Sequence, residues 1–210
     1  MTTLAIQLKF YTNNVITMTR YVGDGTVTHP VTAAQIATVL DKTRQRVSSG
    51  WLPPNILNWS IEADNRVRCV AHFEATIVAV HVSDEAEPWQ LPMPPTVMIG
   101  HGQSWRIYAY QETETIAPDT TLCHCPAPNV SASGGNICQG NTPFPKAAPK
   151  TMAQAYAVFW GSQFNAHWST GKCHSHPDNV LDLWRTLKGK AVFPSSELIP
   201  TRQTVNSVLK

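Results

Sequence analysis

Between Thr113 and about Lys150 the chain keeps no hydrophobic period and is interrupted repeatedly by proline, with Gly134, Gly135 and Gly140 near its middle. Neither a helix nor a central strand accommodates that composition, because proline lacks the N–H both need and glycine loses the most backbone freedom on ordering. An irregular segment of this length inside a domain is either functional or a linker. Three of the five cysteines, Cys123, Cys125 and Cys138, lie in it, which favours function. Strand-like segments dominate before it and helix-like ones after it, an α+β arrangement.

In the N-terminal part, residues 4–11 and 15–22 alternate apolar and polar around Thr12-Asn13-Asn14, which predicts a hairpin. Thr32 followed by Gln35 is a capping-box pattern that opens a helix through Ile36, Val39, Leu40 and Val47, closed by Gly50 and Pro53-Pro54. A ββα extension over 1–50 is therefore expected, with the main domain over 51–210. In that domain 56–61, 66–73 and 76–82 are rich in β-branched and aromatic residues and predict an antiparallel meander. Leu91 to Pro95 is dense in proline and is expected to run extended along an edge. The residues from Thr96 to Gln111 predict a hairpin turning at His101-Gly102.

Beyond the irregular segment, Thr151 and Gln154 repeat the capping-box pattern. Met152, Tyr156, Phe159, Trp160, Phe164 and His167 then follow helical spacing on one face. A shorter helix is predicted near 180–187 with Leu181, Trp184 and Leu187 inward, and the tail after Pro200 reads as a last amphipathic turn or a frayed end. The net charge of +2 is small and dispersed, unlike a nucleic-acid footprint, so no nucleic-acid partner is expected. Apolar runs stay well short of the roughly 20 residues a membrane helix needs. An odd number of cysteines without a leader-like N-terminus points to a reducing cytoplasm.

The stretch from Ala127 to Gly140 carries the candidate chemistry. Small turn residues let the backbone double back, so Cys138, just after Gly134-Gly135, can stand on a ledge as a nucleophile. The competing reading is a buried thiol starting a core strand, since free cysteine often behaves as a small hydrophobe. Asn129 is either a turn former or an amide donor to an oxyanion. Pairing of Cys138 with His124 or His167 as base would suit a cysteine hydrolase. Cys123, Cys125, Cys173, His174 and His176 offer zinc-type ligands, at spacings unlike those of structural zinc sites.

These residues also resemble a known family. Pro128-Asn129-Val130 followed by Gly135-Asn136-Ile137-Cys138 resembles the active loop of ubiquitin-conjugating enzymes, in which a His-Pro-Asn tripeptide precedes an Ile-Cys. LPMPPTV, from Leu91, is similar to the proline-rich edge before their last strand. The stretch from Trp105 through PAPNV, the Phe159 to Phe164 segment and the VFP at Val192 resemble the prokaryotic members, most closely the branch called PRTRC system protein B. Ala127 replaces the tripeptide's histidine, and Asn129 stands nine positions before Cys138, one more than is usual in the eukaryotic enzymes. The resemblance implies a ubiquitin-conjugating-type fold, Cys138 as thioester carrier with Asn129 behind it, and no cofactor. It also implies two partners, a ubiquitin-like protein and a ThiF-like activating enzyme. A conjugating-fold adaptor without chemistry is the alternative.

Overall fold

The computed structural model describes residues 6–23, 25–43, 51–62, 64–111 and 115–209, which separate into two units, Met1–Gly50 and Trp51–Lys210. In the first, β1 (Ile6–Phe10) and β2 (Ile16–Val22) form the expected hairpin, with Asn14 at φ 62° in its turn. A third strand, β3 (Gly25–Val31), pairs antiparallel with β2, so the extension is βββα and not ββα. Its Pro30 hid the strand; proline is tolerated because β3 is the outer strand, whose outward N–H positions need no partner. The capping box at the start of α1 (Ala33–Thr43) is formed. The Thr32 N–H donates to Gln35 Oε1 at 2.8 Å and the Gln35 N–H to Thr32 Oγ1 at 3.1 Å. Val47 and Gly50 lie outside the described residues.

The second unit is built on a six-stranded antiparallel sheet. Its members are β4 (Ile56–Ile61), β5 (Val67–Phe73), β8 (Thr96–His101), β9 (Ser104–Ala109), β10 (Thr121–His124) and β12 (Pro200–Thr204), in the order β12-β10-β9-β8-β5-β4. The meander expected for 56–82 breaks after β5. Instead of pairing with β5, β6 (Thr76–Val82) forms a second sheet with β7 (Trp89–Met93) and, in parallel, the two-residue β11 (Gln163–Phe164). Strand β8 takes the vacated place beside β5, with Phe73 opposite Thr96. The proline-rich LPM is the outer strand β7, as expected, and the β8–β9 hairpin turns at Gly102 with φ 59°.

Because side chains alternate across a strand, the six-stranded sheet has two buried faces. Cys69, Ala71, Met98, Trp105, Ile107 and Cys123 join the larger core, shared with α2 (Met152–Trp160) and α3 (Val180–Leu187). Val70, Val97, Ile99, Tyr108 and Leu122 point the other way, into a smaller core with Val205 and Val208 of α4 (Val205–Leu209). The aromatic stripe is core, with Tyr156 stacked on Phe73 at 3.9 Å and Phe164 edge-on to Trp184 at 5.2 Å.

Further expectations are adjusted. The Thr113–Lys150 segment is not wholly irregular, since β10 lies inside it. The tail after Pro200 does end in an amphipathic turn, α4, but the strand β12, which pairs with β10, comes before it. The second capping box does not form, since Thr151 Oγ1 donates to the Lys146 and Ala148 carbonyls instead, and α2 stops at Trp160, not at His167. The Ser162 N–H and hydroxyl both bond the Phe159 carbonyl and close the helix there, leaving Phe164 in β11 and His167 in a loop. The helix α3 spans the predicted residues, with Leu181, Trp184 and Leu187 buried and the Asn179 side chain capping its start.

Candidate functional site

The Cys138 loop is held against β9 by backbone. Val130 and Ile137 form an antiparallel bridge, Arg106 bridges to Asn136, and the Ile137 N–H donates to the Trp105 carbonyl at 2.9 Å. The Ile107 N–H donates to the carbonyl of Gly135, which has φ 66°, and a Cβ there would stand 2.8 Å from the Ile107 carbonyl oxygen. Only glycine lets the loop lie this close. Val130 and Ile137 turn into the core, so the next residue, Cys138, turns out. The Cys138 N–H donates to the Asn129 carbonyl at 2.7 Å, which ties the two ends of the loop together.

Of the five cysteines, four are buried and Cys138 alone is exposed. It stands at a cleft of about 620 Å³, walled on one side by Cys138 to Pro143 and on the other by Ser162, Gln163, Asn165 and His167, with Asn129 at its base. Among the described residues no Asp, Glu, Lys or Arg lines it. Asn129 has φ 60°, in the left-handed region that asparagine enters more readily than most residues. Its Nδ2 donates to the Gln163 carbonyl at 3.0 Å, so the side chain spans from the Cys138 loop to β11. The Asn129 N–H donates to the His167 carbonyl at 2.7 Å. His167 thus shares the cleft with Cys138, not from a helix end but from a loop, its ring tilted against Trp168.

The other candidates fall elsewhere. His124 is in β10 and lines a different recess of about 360 Å³, with Tyr108, Ser133 and Gln203. Burial and the nearby Lys172 charge hold its imidazole below the ordinary histidine range. Ala127, at the place of the tripeptide's histidine, is buried in the larger core. Among the described residues no group of three or more His, Cys, Asp or Glu is arranged to hold a metal ion. Cys123 and Cys125 are buried in the core, and the Cys173 thiol donates to the His176 carbonyl. Burial pushes the Cys125 thiol up to about 12.

Lys172 went unnoticed in the sequence. It is buried, and its ammonium donates to the Val130 carbonyl inside the Cys138 loop. A lone lysine between Gly171 and Cys173 carries no signal of this, because the contact joins residues far apart in the chain. Gln163 was missed because the helical pattern was read through it; Gly161-Ser162 is the signal that stops it.

No curated protein and no solved structure shows significant similarity to the chain. Among the described residues no helix is long and apolar enough to cross a membrane. A family model, prokaryotic E2 family D, matches residues 32–201, from the residue that caps α1 into β12 and across the whole of the Cys138 cleft. The chain belongs to prokaryotic E2 family D, an E2-like family of the kind associated with ubiquitin-like conjugation.

Proposed function

We propose that this protein is a conjugating-type acyl carrier. The Cys138 thiolate attacks the carbonyl carbon of a thioester that joins the C-terminal glycine of a ubiquitin-like protein to a ThiF-like activating enzyme. The tetrahedral oxyanion collapses, the activating enzyme's thiolate leaves, and the acyl group rests on Cys138. An acceptor amine then attacks, loses a proton to solvent or a base, and expels the Cys138 thiolate. The chain itself needs no cofactor for this exchange; the activating partner consumes ATP. The branch resembling PRTRC system protein B would place the protein in a mobile-element cassette that supplies such a partner.

The observation that carries the reading is the exposure of Cys138, alone among five cysteines, at the rim of an uncharged cleft floored by Asn129. Asn129 braces the site, and its amide hydrogen not given to Gln163 is free in direction to meet an oxyanion. Burial of Ala127 favours a second reading, an adaptor of the same fold that binds the ubiquitin-like or activating protein without chemistry, since nothing at that position faces the cleft.

Incubation with the activating enzyme, the ubiquitin-like protein and ATP, followed by a non-reducing gel, separates the two. The carrier gives an adduct that thiol reagents remove and that Cys138→Ala abolishes. An adduct of equal yield from Cys138→Ala excludes the carrier role, and association without any adduct establishes the adaptor.

A further inference from the structure

Behind the Cys138 loop lies a buried cation that the chemistry above does not use. Lys172 is 1% exposed, and its ammonium donates to the Val130 carbonyl. The same peptide unit continues on its other side: the Ser131 N–H donates to the Asn136 carbonyl at 2.8 Å. That second unit continues in turn, with the Ile137 N–H donating to the Trp105 carbonyl at 2.9 Å. A chain of peptide hydrogen bonds thus runs from the Lys172 charge through Val130, Ser131, Asn136 and Ile137 to β9. It passes through Ile137, the residue that precedes the nucleophile.

Peptide units in such a chain polarise one another, and a cation at one end strengthens each link in a medium of low dielectric. Burying an ammonium is costly unless its donors are used. The Val130 carbonyl is therefore a strong point of attachment, and it lies next to Asn129. Asn129 and Cys138 are in turn tied by the Cys138 N–H to the Asn129 carbonyl. Both residues that the acyl-carrier reading needs hang from the segment that Lys172 grips.

We propose that Lys172 is a positioning residue that clamps the Cys138 loop, fixing Asn129 and Cys138 through the Val130–Ser131 and Asn136–Ile137 peptides. Its consequence for acyl transfer rests on the reading of Cys138 as carrier; the clamp itself does not. The titratable groups that interact with the ammonium are His124, on β10, and Cys125, just after it. Burial keeps both uncharged near neutral pH, so neither replaces the Val130 carbonyl as an ionic partner.

The test is amide hydrogen exchange on the full chain and on Lys172→Met and Lys172→Arg. Lys172→Met keeps the length of the side chain and removes the donors. We expect the Ser131 and Ile137 amides to exchange at least tenfold faster in Lys172→Met, with β8 amides unchanged, and to recover in part in Lys172→Arg. Thioester formation should fall in the same order, at least tenfold for methionine, while alkylation of the Cys138 thiol stays within about threefold. Unchanged protection at Ser131 and Ile137 overturns the clamp. Lost protection in a protein whose wild type forms no thioester upholds the clamp and rejects the carrier reading. Should Lys172→Met fail to fold, the unaltered protein decides. Opening of the clamped loop returns Lys172 from about 8 toward its ordinary range, so raising the pH from 7 to 9.5 favours the closed state and should raise the protection factors of these two amides at least threefold; constant factors overturn the proposal.

Discussion

At the scale of single residues, the site depends on two backbone conformations that side chains usually avoid. Asn129 sits at φ 60° and also bonds Gln163, so its two contributions can be separated. Alanine there loses the hydrogen bond and suffers left-handed strain; glycine loses only the bond. The strain is worth roughly 1–2 kcal/mol, so Asn129→Gly should be more stable than Asn129→Ala by about 1 kcal/mol in urea unfolding, opposite to the usual order of the two residues. Thioester formation by Asn129→Gly reports on the amide itself, because the backbone is then unstrained. If glycine proves no more stable than alanine, the left-handed geometry at Asn129 is wrong. The presence of a candidate nucleophile was legible in the sequence from Gly134-Gly135 and Ile137-Cys138, whose local chemistry is enough to present a thiol. The partners of Asn129 were not, since Gln163 and His167 come from beyond α2, and no local pattern encodes a contact across that distance.

At the scale of elements, alternation identified strands but not their neighbours. Segments 56–61, 66–73 and 76–82 all formed strands, yet β5 chose β8, because pairing depends on which faces both sheets can bury and not on order in the chain. Likewise Phe164 and His167 continue the spacing of α2 only on paper; the Phe159 carbonyl is taken by Ser162, and Phe164 reaches the core from β11. The aromatic run was read correctly as core because burial of large rings is insensitive to which element delivers them. Strand β10 was hidden by its setting among prolines and by its brevity, four residues with one of its two strand neighbours, β12, remote in sequence. Gly135 is one of the contacts that fasten the Cys138 loop to the sheet, and that gives a prediction at this scale. A methyl at Gly135 would meet the Ile107 carbonyl oxygen at 2.8 Å and the Tyr108 ring at 2.9 Å, in a backbone conformation alanine resists. Gly135→Ala should cost about 2–3 kcal/mol, from left-handed strain together with the loss of fitted packing. Gly140→Ala, also at positive φ but with open space around it, should cost no more than the strain alone, roughly 1–2 kcal/mol. Chemical denaturation of the two variants compares them directly, and equal losses would mean that the loop does not rest on β9.

At the scale of the whole molecule, the described residues of both cores belong to the Trp51–Lys210 unit, whereas the family match begins at Thr32 and takes in α1. The similarity therefore crosses the residue-50 boundary suggested by the change from helical to strand periodicity. The larger unit holds ionisable groups whose burial links its stability to alkaline pH. Lys172 is pushed down to about 8 from an ordinary 10.5, because burial penalises its charge. Between those values the unfolded chain binds more protons than the folded one, so this group makes stability rise with pH, beginning near 8. The buried thiols act in the opposite sense. Burial raises Cys69 to about 11 and Cys125 to about 12, and raises Cys173 as well, from an ordinary 9.0. Above about 9 the folded state keeps protons that the unfolded state releases, and stability falls. Three thiols outweigh one lysine once they begin to titrate, and the buried hydroxyls of Tyr108 and Tyr156 add to the fall at higher pH. His124 titrates below its ordinary 6.5 and leaves this range untouched. The unfolding free energy should thus climb between pH 8 and 9, reach a maximum near 9 and decline beyond it. In Lys172→Met the climb should vanish while the decline remains. Urea unfolding from pH 7 to 10.5 measures both curves, and a rising limb that survives the substitution would show that the buried cation is not its source.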